Sequence, residues 1–463
     1  MNLELENAHA GETIRRNNIL YRRWFKNKRR NFIISEIGIK CSELHERAER
    51  PVFRAFEKAN KEKRGRMYAT GKVDHTDTLI LRYARHLLKR SNRSIMEITN
   101  VAYLKKKPLN PMMKWPGGKT GDLKHLRENF VELFPKKIND YYEPFLGGGA
   151  VWLAVEPQGA MYVNDFSDDL IEVYLLIKKQ DQDFFACIDK MGQMWDKLHD
   201  IAEQHVVDFY DGNFSALGRY TSISSLSLNG EDTLNTIQKI VKSKLARIKK
   251  VEEKKQSKLS DDDRLANIEG ALKAGYYTYI RDVYNRHKKV DALRAATFYF
   301  LRDYAFSSMF RFSKDGRFNV PYGGISYNDR RPDIRLSYWQ SPLLVEHLNR
   351  TEFDNLDFEE FLNKRKPKKD DFLFIDPPYD TEFSTYDQNE FGQADQKRLA
   401  NYLIHKTQAQ FMAVMKNTDF IHGLYDGHEA QGVRWETFDK NYTVSFRNRN
   451  DKEVEHIVVY RTY

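Results

Sequence analysis

The most constraining feature of this sequence is a short apolar run that ends at two prolines. Residues 372–375 read F-L-F-I, and residues 376–379 read D-P-P-Y. An apolar run of this length, bounded by a turn signal, predicts a strand buried on both faces, which is typical of parallel sheets. Because prolines lack backbone donors and end a strand, Asp376 and Tyr379 are expected at its carboxyl end, where open α/β sheets bind ligands.

The chemistry of this tetrapeptide suits the recognition of an exocyclic amine. Asp376 can accept a hydrogen bond from an NH2 group, and the backbone carbonyl of Pro377 can accept a second. Two such acceptors would leave the lone pair of the nitrogen free to attack an electrophile. Tyr379 offers a flat face on which a base can stack. For the tetrapeptide alone, a plain strand followed by a proline turn remains an open interpretation.

A second constellation lies earlier in the chain. Residues 141–145 end a predicted strand, L-G-G-G follows at 146–149, and residues 150–155 predict the start of a helix. The next strand is predicted at 161–164 with Asp165 at its tip, and a helix follows over 168–179. A strand, a glycine loop, a helix and an acid about 20 residues on are typical of a nucleotide or nucleoside site, in which the acid binds the ribose hydroxyls.

The spacing of the glycines limits the class of ligand that this loop is expected to bind. Phe145, Gly147 and Gly149 form the pattern F-x-G-x-G, whereas a pyrophosphate cradle uses G-x-G-x-x-G. We therefore expect a nucleoside without phosphates, although a simple glycine turn in a parallel sheet remains the alternative. Upstream, residues 114–119 read K-W-P-G-G-K, where Trp115 can stack on an adenine and Lys119 can meet a carboxylate. Read alone, this hexapeptide also fits a loop with a buried tryptophan.

Composition points to a nucleic-acid partner. The chain has 463 residues and a net charge of +10, with 13% aromatic residues, a combination that suits a polyanion with exposed bases. Its two cysteines, Cys41 and Cys187, are too few for a zinc or disulfide framework, so no metal site is expected. No apolar stretch approaches the roughly 20 residues that span a bilayer. We therefore expect a cytoplasmic protein without membrane contact.

Two further regions bear on nucleic-acid binding. Between Arg15 and Arg30, eight of sixteen residues are Lys or Arg, which fits an arm along a phosphate backbone or, equally, a solvated helix docked on the body. Residues 308–320 predict a β-hairpin with a two-residue turn at Asp315-Gly316. Between them, apolar residues at 237–251 recur on one helical face, and the charge run at 249–264 predicts a solvated helix end and loop.

Taken together, these motifs resemble those of a known family. K-W-P-G-G-K at 114–119, E-P-F-L-G-G-G at 143–149, N-D at 164–165, R-F-N-V-P-Y-G at 317–323 and D-P-P-Y at 376–379 stand in the order seen in Dam-like (D12 class, alpha group) DNA adenine N6-methyltransferases. The resemblance runs from about residue 113 to the C-terminus and includes A-D-Q-K-R-L at 394–399. The first 110 residues have no counterpart in it, and the stretch 210–270 is expected to be extra helical material.

The resemblance implies a Rossmann-like, S-adenosylmethionine-dependent α/β fold with an inserted helical and hairpin DNA-recognition region. It divides the chain into a basic, mainly helical extension (1–110), a cofactor-binding half (111–185), a target-recognition region (186–340) and a catalytic half (341–463). It implies cofactor contacts at a set of residues that we extend along the glycine loop: Trp115, Lys119, Glu143, Phe145, Gly147, Gly149, Asp165 and Asp376. It places catalysis on Asp376, Pro377, Pro378 and Tyr379, and DNA contacts on Arg311, Arg317 and Asn319.

The implied reaction is site-specific methyl transfer from S-adenosylmethionine to N6 of adenine in double-stranded DNA, with the target base flipped from the stack. We expect a monomer in a bacterial or phage-infected cell, with a cognate restriction endonuclease as a possible partner. Two rival functions stay open. One is methylation of an RNA amine or a glutamine amide, which uses similar proline tetrapeptides; the other is a catalytically silent DNA-binding module.

Overall fold

The computed structural model describes residues 103–105, 107–115, 133–220, 223, 226–228, 233–378, 391–441 and 453–463. All of them belong to the unit that runs from Val101 to Tyr463. The predicted basic arm Arg15–Arg30, Lys119 and Tyr379 lie outside the described residues. No helix in the described ranges has the length and apolar character needed to cross a membrane.

A seven-stranded sheet organises the unit, with the strand order β3-β2-β1-β4-β5-β7-β6. The first five strands are parallel, whereas β7 runs antiparallel to β5 and β6 antiparallel to β7. This is the α/β, Rossmann-like sheet that the sequence predicts. The strands are β1 Tyr141–Glu143, β2 Met161–Asn164, β3 Thr351–Asp354, β4 Phe372–Ile375, β5 Gln410–Lys416, β6 Arg434–Asn441 and β7 Glu453–Arg461.

Helices cover both faces of the sheet. The longer ones are α1 Asp168–Lys179, α2 Gln182–Gln204, α3 Thr233–Lys255, α4 Asp261–Arg286, α5 Ala292–Tyr304, α6 Pro342–Asn349, α7 Phe358–Arg365, α8 Gln393–Asn401 and α9 Asp419–Tyr425. Shorter helices lie at Val206–Asp211, Ser215–Gly218 and Leu336–Trp339, and a π-helical turn at Tyr402–Lys406 extends α8. Single 3-10 turns occur at Trp152–Ala154, Phe306–Ser308, Ile325–Tyr327, Pro332–Arg335 and Glu429–Gln431.

Strand β4 shows why the central sheet is stable. Its four side chains are fully buried and alternate between two hydrophobic cores. Phe372 and Phe374 join the core shared with α1, α2, α4 and α5, whereas Leu373 and Ile375 join the core shared with α7, α8 and α9. Each fully buried apolar side chain of this size contributes about 1.5–3 kcal/mol. The continuous apolar run F-L-F-I is therefore required by burial on both faces.

The segment after the glycine loop differs from the sequence prediction. Residues 150–155 were expected to start a helix, but only the single turn Trp152–Ala154 forms. Two carbonyls of this segment accept hydrogen bonds from outside it, that of Ala154 from the Lys105 N–H at 2.8 Å and that of Leu153 from the Leu109 N–H at 3.3 Å. Because these acceptors pair with residues 105–109, a regular helix does not form here.

The helical part inserted between β2 and β3 is joined to the sheet domain by a buried ion pair. Arg294 of α5 contacts Asp169 of α1 through two bonds, Nε to Oδ1 at 2.5 Å and Nη2 to Oδ2 at 2.9 Å. The Tyr284 hydroxyl of α4 donates to the same carboxylate at 2.6 Å. Asp169 is only 5% exposed, so removal of either partner would leave a costly buried charge. The insertion is thus fixed against the helix that follows Asp165.

Candidate active site

The strand order reverses between β1 and β4, and three carboxylates follow the carboxyl ends of the strands around this point. Glu143 is the last residue of β1, Asp165 follows β2, and Asp376 follows β4. In open α/β sheets the crevice at such a reversal is the ligand-binding position. The structure therefore brings these three predicted site residues to one edge of the sheet.

Glu143 is the most deeply buried of the three acids, with 3% of its surface exposed. Its carboxylate accepts a hydrogen bond from the Tyr141 hydroxyl at 2.6 Å. Burial raises the pKa of Glu143 well above its ordinary value, Asp376 and Asp165 raise it further, and the bonds from Tyr141 and the Trp152 backbone oppose the shift. The neighbouring acids give the crevice a negative potential, which favours a cationic ligand over a phosphate.

Asp165 ties the glycine loop to the end of β2. Its carboxylate accepts from the Gly147 N–H at 2.8 Å and from the Ser167 N–H at 3.0 Å. Burial raises the pKa of Asp165, and these two N–H groups oppose that shift. On the other side of Gly147, its carbonyl accepts from the Tyr174 hydroxyl at 2.7 Å. Each carboxylate oxygen has a second lone pair, so Asp165 can still accept ribose hydroxyls.

Trp115 lies directly against the glycine loop. Gly147 has a φ of +47°, and a Cβ placed there would come within 2.9 Å of the Trp115 indole ring. A Cβ at Gly148 would come within 3.0 Å of the Trp115 Cβ. Any larger residue at 147 would therefore be strained and would displace the tryptophan. The space above these two glycines is therefore taken by the Trp115 side chain in this structure, and ligand contacts at Gly147 and Gly149 stay predictions.

The three residues of the D-P-P segment differ in how far they are exposed to solvent. Asp376 is half-buried, Pro377 is buried and Pro378 is exposed. The Pro378 carbonyl accepts a hydrogen bond from Nε2 of Gln396 at 3.1 Å.

Among the described residues, no group of three or more His, Cys, Asp or Glu side chains is arranged to hold a metal ion.

Phe145 is placed by packing. Its ring is half-buried and lies 5.4 Å from the ring centroid of Phe358 and 5.4 Å from that of Phe391, edge-on to the latter. This cluster joins the glycine-loop side of the crevice to α7 and to Phe391, two residues before α8. The geometry explains the aromatic at this position by core contacts, and its predicted cofactor contact remains a prediction.

Phe166 is a candidate that the sequence reasoning missed. It follows Asp165 directly, and its side chain is 56% exposed although it is large and apolar. Its backbone N–H also helps to hold the Asp165 carboxylate. An exposed ring beside Asp165, for which ribose binding is predicted, offers a flat surface for a base. An apolar residue immediately after the strand-end acid is the signal that would have identified it.

The hairpin presents the three predicted DNA-contacting residues to solvent. Arg311, Arg317 and Asn319 are all exposed, and Nε of Arg311 donates to Oδ1 of Asn319 at 3.1 Å. Phe312 and Phe318 pair antiparallel, as predicted. The turn differs, because the Ser313 N–H donates to the Arg317 carbonyl and Gly316 has a φ of +72°. The loop thus has three residues, with the glycine in the left-handed position that such a loop requires.

Two helices hold this hairpin in place. Asn285 of α4 exchanges two hydrogen bonds with the Phe318 backbone, at 2.8 and 3.0 Å. The guanidinium of Arg302, on α5, lies 4.3 Å from the Trp115 ring centroid and 4.6 Å from that of Phe310. Arg302 therefore contacts both the tryptophan that lies against the glycine loop and Phe310 of the hairpin. Through this arginine, the crevice side of the protein is connected to the hairpin.

A parallel sheet with an antiparallel edge, and a glycine loop with acids at the point of strand reversal, define a Rossmann-like α/β protein, a class that binds its ligands at this edge of the sheet. The profile of the family described as D12 class N6 adenine-specific DNA methyltransferase matches residues 115–259 and 231–441, which together exceed half of the chain. The chain therefore belongs to the D12 class of N6 adenine-specific DNA methyltransferases, enzymes that methylate adenine N6 in DNA.

Individual relatives agree with this assignment. The chain is 24% identical over 348 residues to the Type II methyltransferase M.MjaIII of Methanocaldococcus jannaschii, a match that covers 70% of this chain and 91% of that protein. It is 25% identical over 324 residues to the Type II methyltransferase M.CviBI of Paramecium bursaria Chlorella virus NC1A, covering 69% and 88%. It is 23% identical over 335 residues to a DNA adenine methylase of Haemophilus influenzae, covering 70% and 85%.

Proposed function

We propose that the crevice formed by Glu143, Asp165 and Asp376 binds S-adenosylmethionine and that the D-P-P segment orients the adenine amine of a DNA site. The carrying observation is the convergence of three carboxylates at the carboxyl ends of β1, β2 and β4. S-adenosylmethionine, when bound, supplies an electrophilic methyl group on a cationic sulfur. A negative crevice stabilises such a cation, whereas it would repel the phosphates of a dinucleotide.

The residues present fit each part of this cofactor. Asp165 retains lone pairs for the ribose hydroxyls, and the ring of Phe166 offers a surface for the adenine. Trp115, which lies against the glycine loop, is a second candidate for stacking on the adenine. Glu143 is expected to bear the negative charge that meets the cationic part, because cation binding favours the ionised form of its carboxyl. Gly147 and Gly149 keep the loop free of side chains, and Lys119 is proposed to meet the carboxylate.

The D-P-P segment supports the proposed treatment of the amine. Asp376 and the Pro377 carbonyl would accept the two N–H groups of adenine N6, which leaves the nitrogen lone pair directed away from both acceptors. Tyr379 would stack on the base. Since N6 is paired within the duplex, the target adenine must first leave the stack. The rate would come from this positioning and from the fixed acceptors around the nitrogen.

The inserted region supports the choice of DNA site. We propose that residues 186–340 form the target-recognition region, with Arg311, Arg317 and Asn319 facing the DNA. Arginine pairs with guanine and asparagine with adenine in the major groove, so these side chains suit base reading. We further propose a monomer that protects its site against a cognate endonuclease, as the Type II names of two relatives suggest. Sequencing of DNA from expressing cells, with detection of N6-methyladenine, would identify the methylated site.

The experiment that tests the proposal compares two aspartates that flank strand β4, one beyond each end. Asp376→Ala removes an acceptor at the carboxyl end, and Asp370→Ala changes an exposed side chain just before the amino end. We expect Asp376→Ala to lower turnover at least about 100-fold, the scale for loss of one fixed electrostatic group. Asp370→Ala should match the wild type. Transfer of labelled methyl groups to DNA, RNA and protein substrates would measure both, and a fully active Asp376→Ala enzyme would refute the assignment.

A further inference from the structure

Gln396 holds the D-P-P segment from outside the crevice. It lies in the first turn of α8, and only 1% of its surface is exposed. Its Nε2 atom donates a hydrogen bond to the Pro378 carbonyl at 3.1 Å. Because a carbonyl only accepts hydrogen bonds, the NH2 side of the amide must face it. The contact therefore fixes both the orientation of the amide and the direction of the Pro378 carbonyl.

The segment needs a contact of this kind because of its prolines. Neither Pro377 nor Pro378 has a backbone N–H, so two consecutive residues after β4 cannot be tied to the fold by donating hydrogen bonds. Their carbonyls are the polar backbone groups that remain, and the direction of each depends on external partners. The donor on the Pro378 carbonyl holds that group to α8, one residue after the Pro377 carbonyl that is proposed to accept a hydrogen bond from the amine.

The helix that carries Gln396 is itself firmly anchored. Arg398 makes ion pairs with Asp357 at 2.6 Å, with Glu359 at 3.0 Å and with Asp395 at 2.8 Å. Asp357 is the N-cap residue of α7, so the arginine fixes the start of α8 against the start of α7. A hydrogen-bond donor carried by an anchored helix fixes the position of its acceptor more precisely than a donor on a loop does.

The other end of the amide argues for a role beyond packing. Oε1 of Gln396 is buried and has no hydrogen-bond partner within the described part of the chain. Buried polar atoms are normally paired, and an unpaired one destabilises the fold. An apolar side chain of the same length would pack without that cost. Retention of an amide here is consistent with a need for its NH2 group opposite Pro378.

We propose that Gln396 is a positioning residue for methyl transfer: it acts through the Pro378 carbonyl to hold Asp376 and the Pro377 carbonyl in the geometry that orients the amine. This rests on the proposed function of the D-P-P segment. Gln396 does not touch the substrate in this scheme, so its loss should slow the chemical step and leave cofactor affinity nearly unchanged.

Two substitutions separate positioning from stability. Gln396→Met keeps the approximate shape but removes the donor and the unpaired Oε1. We expect it to unfold at the same temperature as the wild type or higher, while its single-turnover rate falls about 10- to 100-fold, the scale for small misplacement of reacting groups. A residue that is merely structural would instead lower the unfolding temperature, and its rate loss would follow the loss of cofactor-binding sites measured by calorimetry.

Gln396→Glu adds a pH test. Burial raises the pKa of a carboxyl at this position, and its protonated form can donate to the Pro378 carbonyl as the amide does. The single-turnover rate of this variant, divided by that of the wild type, should therefore be low near pH 8.5 and recover as the pH falls toward 6. The matched control is Gln393→Glu, the same change at an exposed position of the same helix, which should show a flat ratio near one.

The outcomes distinguish this inference from the function on which it rests. Single-turnover rates of Gln396→Met within threefold of the wild type would overturn the positioning role, as would a Gln396→Glu ratio that does not change with pH. If Asp376→Ala is inactive while both Gln396 variants are fully active, only the positioning role fails. If Asp376→Ala is fully active, the proposed function itself fails.

Discussion

Glu143 illustrates how one residue can oppose stability and serve binding. Its carboxyl is buried beside Asp376 and Asp165, and burial together with these acids raises its pKa. A carboxyl with a raised pKa stabilises the folded protein most when it is protonated, so this contribution is lost as the pH rises through the folded-state pKa. The same charge would be favourable once a cationic ligand is bound. We therefore predict that ionised Glu143 lowers the stability of the free protein and raises its affinity for a cationic ligand.

Glu143→Gln tests this prediction. The amide imitates the protonated carboxyl, so we expect the variant without cofactor to unfold at a higher temperature than the wild type at pH 8. The difference should shrink toward pH 4.5, where the carboxyl of the unfolded chain also takes up its proton. Cofactor affinity at pH 8 should fall about 10-fold or more, since a hydrogen-bonded charge contributes about 1.5–3 kcal/mol. Calorimetric unfolding and binding would measure both quantities.

Two results would contradict this account. An unfolding temperature below that of the wild type at pH 8 would mean that the ionised carboxylate stabilises the free protein. Unchanged cofactor affinity would mean that Glu143 does not meet the cationic part of the ligand. As a control, Glu352→Gln changes an exposed acid on β3 that forms an ion pair with Arg365, and it should leave cofactor affinity unaltered.

At the scale of elements, the exposed hairpin is the part on which base reading is predicted. Arg311 and Asn319 form a hydrogen-bonded pair across it, and Arg317 is exposed near the turn. If one of these side chains contacts a base, its replacement by alanine should weaken the free energy of binding to the preferred DNA site by about 1–3 kcal/mol and relax the sequence preference at one position. Methylation of a library of duplexes that differ at each position would measure this. Lys314→Ala, at the exposed turn, is the matched control.

The pairing of Arg311 with Asn319 sharpens this test. Asn319→Ala frees the guanidinium as well as removing the amide, so its effect on specificity should exceed that of Arg317→Ala if both asparagine and Arg311 read bases. Equal losses on every duplex would show instead that these side chains contact phosphates. Asn285 holds the Phe318 backbone through two hydrogen bonds. Its substitution should lower methylation of all duplexes to a similar degree, because it loosens the hairpin without removing a side chain that contacts a base.

Local pattern was enough to predict most of the sheet. The strand predicted at 372–375 forms as β4 because burial on both faces requires its apolar run, and the strand predicted at 161–164 forms as β2. Helix α1 begins and ends as predicted, because Ser167 caps it and Gln180 ends it in a left-handed conformation. β3 was not predicted, since its four residues are only partly buried and alternate weakly. In the helix at 237–251, Val251 is 48% exposed although it was assigned to the apolar face.

The candidate site was predictable only in part for a related reason. Topology alone brings Glu143, Asp165 and Asp376 together, because parallel strands end at one edge of the sheet. The contacts that hold these residues come from far along the chain. Gln396 reaches Pro378 across 18 residues, and Tyr174 reaches Gly147 across 27. No local periodicity encodes such pairs, and they depend on how α8 and α1 pack.

At the scale of the whole molecule, the sheet is built from chain segments on both sides of a long insertion. The chain leaves the sheet after β2 and returns at β3, which pairs with β2 in parallel register. The helices between them are held to α1 through Asp169 and Arg294. If residues 186–340 recognise the DNA site as proposed, the choice of sequence is made in a part of the chain separate from the sheet edge that carries the three acids.

The N-terminal region is the remaining candidate for DNA binding, and the structure shows where it can be removed. Tyr103 and Leu104 are buried in the sheet core, and Leu104 pairs with Val155, so a truncation must stop before them. Deletion of residues 1–100 removes the dense positive charge of Arg15–Arg30. Each phosphate that this segment neutralises adds about 0.9 to the salt dependence of binding. The truncated protein should therefore bind DNA more weakly at moderate salt, with a slope smaller by several units.

Base reading should not change in the truncated protein, because the exposed hairpin lies in the retained part. The methylated sequence, measured by sequencing, is expected to match that of the full chain. Neutralisation of the eight Lys and Arg residues of 15–30 to glutamine, in the full-length protein, is the control for charge alone and should reproduce the smaller slope. A truncation with the parent's salt slope would exclude a phosphate-binding arm. A changed target sequence would instead assign specificity to the first 100 residues, since the hairpin and the two helices that hold it are intact in both proteins.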